Sequence, residues 1–210
     1  MPYFILVVLI GIVIAIQIIL RMRARNDKGN IQSFIYDEQQ ANFSKKHEIP
    51  GKMFFTPDIS RLPIRDYPNT EKFKTVARRQ ELVINDSKKR MINSSQNITN
   101  RDLKSSYGAV NLDIFTAGEE NFMSYIHRLN SWAEELISLH SLDDAETVLL
   151  ESIKSHSDVS KSYTLLADVY AERKKTEELL ELQRIVENSE LALRSKILGH
   201  IIETRARLKT

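Results

Sequence analysis

The sequence predicts a mainly α-helical chain carried on an apolar N-terminal segment, and three observations predict it. Residues 3–20 form an uncharged run. Four of the five prolines fall between Pro50 and Pro68, with none after them. From Gly118 onward, apolar residues recur every three to four positions and the pattern resembles itself at a shift of 34. The 210 residues include no cysteine, which excludes a disulfide scaffold, a cysteine-built zinc site and a thiol nucleophile. With 42% hydrophobic and 28% charged residues, the chain is neither collagen-like nor wholly disordered.

The run from Tyr3 to Leu20 would span about 27 Å as a helix, close to the roughly 30 Å hydrocarbon core of a bilayer. A cleaved signal peptide would have a basic stretch before it and a small-x-small site after it. Only Met1 and Pro2 precede the run, and Leu20-Arg21-Met22-Arg23 follows. The reading is therefore a single uncleaved transmembrane helix at 3–20. Arg21, Arg23, Arg25 and Lys28 flank it on one side only, so the positive-inside bias predicts an outside N-terminus and a cytoplasmic remainder. The expected partner of this segment is the lipid bilayer. Gly11 and Ala15 form a small-xxx-small pair, a common chance pattern that leaves a homo-oligomer open.

Residues 21–69 read as a basic, extended strap or linker. A flexible tether is Gly/Ser-rich, whereas Phe54, Phe55, Ile59, Leu62 and Ile64 are bulky and apolar. Such side chains are buried against something or form a patch for a partner. The reading is a strap lying on the helical domain; the alternative is a disordered tether. Residues 70–117 are expected to hold one amphipathic helix and a polar loop. Phe73, Val76, Ala77 and Ile84 lie near helical spacing over 70–84, with Lys72, Lys74, Arg78 and Arg79 between them. A basic face of this kind suits a membrane surface, nucleic acid or plain solvent. Residues 85–101 are expected to be the loop, and the Asn-x-Ser/Thr matches at Asn42, Asn85, Asn93 and Asn97 carry no meaning on a cytoplasmic segment.

Residues 118–210 read as successive amphipathic helices. At a shift of 34, Trp132 falls on Leu166, Ala133 on Ala167, Leu136 on Tyr170, Ala145 on Leu179, Val148 on Leu182 and Ser152 on Val186. The stretch Tyr163-Thr-Leu-Leu166-Ala167-Asp-Val-Tyr170, with Leu198-Gly199 echoing it, resembles the tetratricopeptide repeat (TPR) over about residues 120–205. Two features depart from that family's pattern: Asp158 stands where proline is usual, and Leu179 replaces a small residue. The resemblance implies helix pairs whose first helices line a groove. On that face would lie His127, Asn130, Glu134 and Ser138, then Lys161, Thr164, Asp168 and Glu172, then Lys196 and His200. The surface is polar and somewhat acidic, suited to a basic or extended peptide.

Chemistry is not legible. The six glycines form no phosphate loop, and the five histidines show neither His-x-x-x-His nor His-Glu-x-x-His spacing. No serine sits in a nucleophile motif. The expectation is a protein that is not an enzyme, with no cofactor and no metal. Charge is unevenly spread: residues 21–110 carry a net +8 and residues 111–210 a net −6. Apart from Phe73, which the helical spacing assigns to the apolar stripe, no aromatic residue is interleaved with the basic charges of 72–104, so no specific nucleic-acid partner is expected. The leading expectation is a membrane-anchored interaction or scaffold protein with a TPR-like domain that binds a peptide or protein. The alternative is a permanent structural subunit of a larger membrane complex or homo-oligomer.

Overall fold

The computed structural model describes residues 47–93 and 100–208, with the isolated positions 35, 36 and 39. The transmembrane reading of 3–20 and its flanking Arg21, Arg23, Arg25 and Lys28 lie outside the described residues. Among the described residues, no helix is long and apolar enough to cross a membrane. The molecule is mainly helical. In chain order come β1 (Phe54–Phe55), α1 (Glu71–Ser87), β2 (Met91–Ile92), α2 (Asn100–Tyr107), α3 (Leu112–Ser138), α4 (Leu142–Lys154), α5 (Ser160–Glu172), α6 (Thr176–Glu187) and α7 (Arg194–Arg207).

The contacts divide the chain into two compact units, residues 1–49 with 98–112, and residues 50–97 with 113–210. In the first, α2 ends at Gly108, whose φ of 84° is left-handed and suits glycine. A one-turn 3-10 helix follows at Ala109–Asn111. The Asn111 side-chain amide then donates to the carbonyls of Tyr107 (2.6 Å) and His47 (2.7 Å), tying this turn to the segment around His47.

The second unit is built around α3. Phe122, Tyr125, Ile126, Leu129, Trp132, Ala133 and Leu136 follow one another at helical spacing and are all buried. Each large apolar side chain buried here contributes about 1.5–3 kcal/mol before entropy is counted. α1 buries Val76, Gln80, Val83 and Asp86, again one stripe. It runs to Ser87, and β2 pairs antiparallel with β1 through Phe54–Ile92 and Phe55–Met91. The span 85–101, expected to be a loop, thus begins with a helix end and a strand. Helical structure also starts before Gly118, at Leu112. Gly118 itself is where β2 meets α3: a Cβ there would lie 2.8 Å from Ile92 Cγ1.

The strap from Pro50 to Tyr67 belongs to this unit. Phe55 packs edge-on to Phe122, with ring centroids 5.3 Å apart. Leu62 is part of the core, and Ile59 lies against it. Farther along, the Arg65 backbone is held by one side chain. Arg65 N–H donates to Gln80 Oε1 (3.1 Å), and Gln80 Nε2 donates to the Arg65 carbonyl (2.8 Å). The Arg65 guanidinium pairs with Asp144 on α4. Ile64 departs from the expected burial and is 41% exposed, while Leu62 two residues before it takes the inward position.

From α4 on, the helices are short and their neighbours regular: α4 packs on α5, α5 on α6 and α7, and α6 on α7. The turns closing α3 and α5 have the same geometry. Each ends in a left-handed residue, His140 and Lys174, with φ 57° in both. Ser141 N–H donates to the Leu136 carbonyl (2.9 Å), and Lys175 N–H to that of Tyr170 (2.8 Å). Inside these bonds, His140 N–H reaches Ile137 and Lys174 N–H reaches Ala171. This nested pair is the Schellman closure, which satisfies carbonyls left open by a helix end. The corresponding positions lie 34 residues apart. All six residue pairs aligned by that shift are buried in both members.

Candidate functional site

The polar residues expected to share a face are carried on α3, α5 and α7. On α5, Lys161, Thr164, Asp168 and Glu172 succeed one another by three or four positions and form one stripe. Two polar contacts tie this stripe to its neighbours. Lys161 Nζ lies 2.7 Å from Glu134 Oε1 on α3, and His200 Nε2 on α7 lies 2.9 Å from Asp168 Oδ1. A carboxylate can only accept, so the proton in the second contact is on Nε2. Glu172 faces back toward the turn after α3, where His140 Nδ1 is 3.7 Å away.

Asp168, Glu172 and His200 line an open cleft of about 500 Å³ between α5 and α7. Ala171, Thr204, Arg207 and Leu208 complete its lining. Thr204 Oγ1 receives a hydrogen bond from Arg207 Nη2 (2.8 Å) and itself donates toward Asp168 Oδ1 (3.5 Å). The cleft thus presents two carboxylates, a guanidinium and an imidazole, a polar set in which carboxylates outnumber guanidinium groups two to one. Thr204 and Arg207 were legible in principle: they stand four and seven residues beyond His200, on the same helix face.

The remaining expected residues are not part of this cleft. His127 and Lys196 are exposed elsewhere on α3 and α7. Thr164 is half-buried and donates to the carbonyl of Lys161 (3.2 Å). Asn130 is a correction. It is 1% exposed, and neither amide atom has a hydrogen-bond partner among the described residues. The cause is register: Asn130 stands four residues after Ile126 and three before Ala133, both fully buried, so it falls on the packing seam.

Among the described residues, no group of three His, Asp or Glu side chains is placed to hold a metal ion. On the buried side of α5, the Tyr170 hydroxyl is pushed up to about 12, first by burial and then by Glu146 and Glu178. It is a neutral phenol at physiological pH and no proton acceptor. What the cleft offers is paired hydrogen-bonding and charge. No protein-family model, no curated protein and no solved structure matches this chain.

Proposed function

We propose that this is a membrane-anchored, non-enzymatic interaction or scaffold protein, whose TPR-like helical domain binds a peptide or protein segment along the face shared by α3, α5 and α7. In this reading residues 3–20 lie in the bilayer, with the N-terminus outside and the helical domain cytoplasmic. The observation that carries it is the recurrence, 34 residues apart, of the same helix closure at His140 and Lys174. Identical closures give neighbouring helix pairs the same turn, and stacked pairs of that kind present their first helices on one side. The Glu134–Lys161 and Asp168–His200 contacts join those first helices in order. Residues bonded in this way across helices form a preorganised polar surface, which lowers the ordering cost of binding an extended segment.

A photo-cross-linking residue at Glu172, in full-length protein within its native membrane, tests the reading. The same group at the exposed Lys154 on α4 serves as control. The expected result is a discrete protein adduct from position 172 and none from 154. No protein adduct from 172, or the same adduct from both positions, would overturn the proposal.

A second reading, a permanent subunit of a membrane complex or homo-oligomer, is favoured by one observation. Ile185 on α6 and Ile202 on α7 are 46% and 50% exposed at the end of the helical series. Large apolar side chains left exposed on a helical stack suit a face that a partner covers. Native mass measurement of detergent-solubilised protein separates the readings: a fixed stoichiometric assembly supports the subunit, a monomer the adaptor.

A further inference from the structure

A second concavity lies between α1 and α3, away from the cleft described above. It encloses about 400 Å³ and is lined by Lys74, Thr75, Arg78, Arg79 and Leu82 from α1 and by Arg128 from α3. The α1 residues lie at i, i+1, i+4, i+5 and i+8, so they share one helix face. No acidic residue lines the space.

A solvated helix face ordinarily alternates its charges, and like charges four apart on a helix repel. Here Lys74 and Arg78 are four apart, with Arg79 beside them and Arg128 brought in from another helix. Arg78 and Arg79 form no ion pair with any described residue. Lys74 reaches Glu71 (3.3 Å), but both side chains are largely exposed and the pair is screened. Arg128 is different, because its Nε lies 3.7 Å from Asp86 Oδ2, and the Asp86 side chain is 7% exposed. Burial acts to raise the Asp86 carboxyl. Hydrogen bonds from Lys89 and Ser124, and the charges of Lys89 and Arg128, outweigh it and hold the group below its usual range. The carboxylate is thus ionised at neutral pH, and it holds one edge of the Arg128 guanidinium at the cleft wall.

The geometry points to a binding site for a small group bearing several phosphates. Guanidinium forks match phosphate oxygens two at a time, and four cations around one small space suit a multiply charged anion better than a single carboxylate. The size is that of a small-ligand pocket. Nucleic acid is disfavoured, since no aromatic side chain lines the cleft to stack a base. Two sources share the phosphate chemistry: the phosphorylated inositol headgroup of a membrane lipid, and a free polyphosphate.

The test uses full-length protein in phosphatidylcholine nanodiscs. One arm titrates soluble inositol trisphosphate; the other incorporates phosphatidylinositol bisphosphate in the disc. Each arm is read as the shift in the thermal unfolding midpoint. A rise in either arm is expected, and the arm that responds names the source. R78Q/R79Q keeps good helix formers on exposed or half-exposed positions, and it is expected to weaken binding about tenfold or more, the loss of at least one charged hydrogen bond. K88Q removes an exposed charge outside the cleft and is expected to leave affinity within about twofold. Three results would overturn the site: no shift in either arm, unaltered binding by R78Q/R79Q, or an equal loss with K88Q. Tighter binding of single-stranded RNA than of either phosphate probe would do the same.

Discussion

His140 and Lys174 hold the same left-handed backbone conformation, φ 57° in each, as the residues that close α3 and α5. Neither is glycine, the residue that ordinarily occupies this position. A Cβ in the left-handed region costs about 1–2 kcal/mol, so both turns carry a penalty that the nested hydrogen bonds around them offset.

Replacing Lys174 by glycine relieves that penalty, while the extra freedom of glycine in the unfolded chain returns part of it. K174G is expected to stabilise the protein by about 0.5–1 kcal/mol, with K174A close to neutral. Chemical denaturation midpoints of the two variants check this. A clear loss of stability in both variants would show that the lysine side chain, not the backbone, holds the turn.

The strap is fastened at Gln80. Leucine at this position keeps the bulk but leaves the Arg65 N–H and carbonyl without their partner. Q80L is expected to cost about 1–3 kcal/mol and to speed amide exchange at Arg65 relative to the parent protein. Leu62→Ala, which empties a core position of the same strap, is expected to cost about 2–4 kcal/mol. Unchanged exchange at Arg65 in Q80L would mean that the strap is held elsewhere.

Gly118 admits the Ile92 side chain. An alanine Cβ would lie 2.8 Å from Ile92 Cγ1 and 2.9 Å from Cδ1, closer than carbon atoms pack. G118A is expected to destabilise by about 1–3 kcal/mol. I92A removes both of those atoms, so the double variant is expected to lose less stability than the two single losses added together. Strict additivity in this cycle would rule out the close approach.

Glu151 on α4 titrates above its usual range, first because of burial and then because of the charge of Asp58; Lys154 and Arg61 act against the rise. Folding therefore favours its protonated form. Its contribution is full below the unfolded value, about 4.5, and is lost as pH rises through the higher folded value. At neutral pH the ionised group is a net penalty. E151Q is expected to raise the melting temperature at pH 7, and the gain is expected to vanish near pH 4. Melting curves at the two pH values decide it, and an equal gain at both would locate the effect in packing instead.

The helical stripes were legible because a helix repeats every 3.6 residues whatever it packs against. Phe122, Ile126, Leu129, Trp132 and Leu136 are buried where that period places them. The period assigns a face but not a depth. Asn130 fits a polar face by spacing and chemistry, yet it lies on the seam. The same limit applies to the candidate cleft. Asp168, Glu172 and His200 were each identifiable as surface polar residues, but the 2.9 Å contact between His200 and Asp168 depends on how α7 packs on α5.

By itself, the sequence determined the helical class, the absence of cysteine chemistry, the apolar strap and a 34-residue recurrence, because composition and local period act within a few turns of chain. Only the tertiary structure decided that Gln80 grips Arg65, that Ile92 occupies the space a side chain at Gly118 would fill, and that Arg128 faces Arg78 and Arg79 across one cleft. Those partners stand 15 to some 50 positions apart in the chain. Nothing local selects them. They meet because burying the stripes of α1, α3 and α5 together stabilises the fold more than any polar pair does, and the polar side chains are carried to whatever positions that packing leaves them.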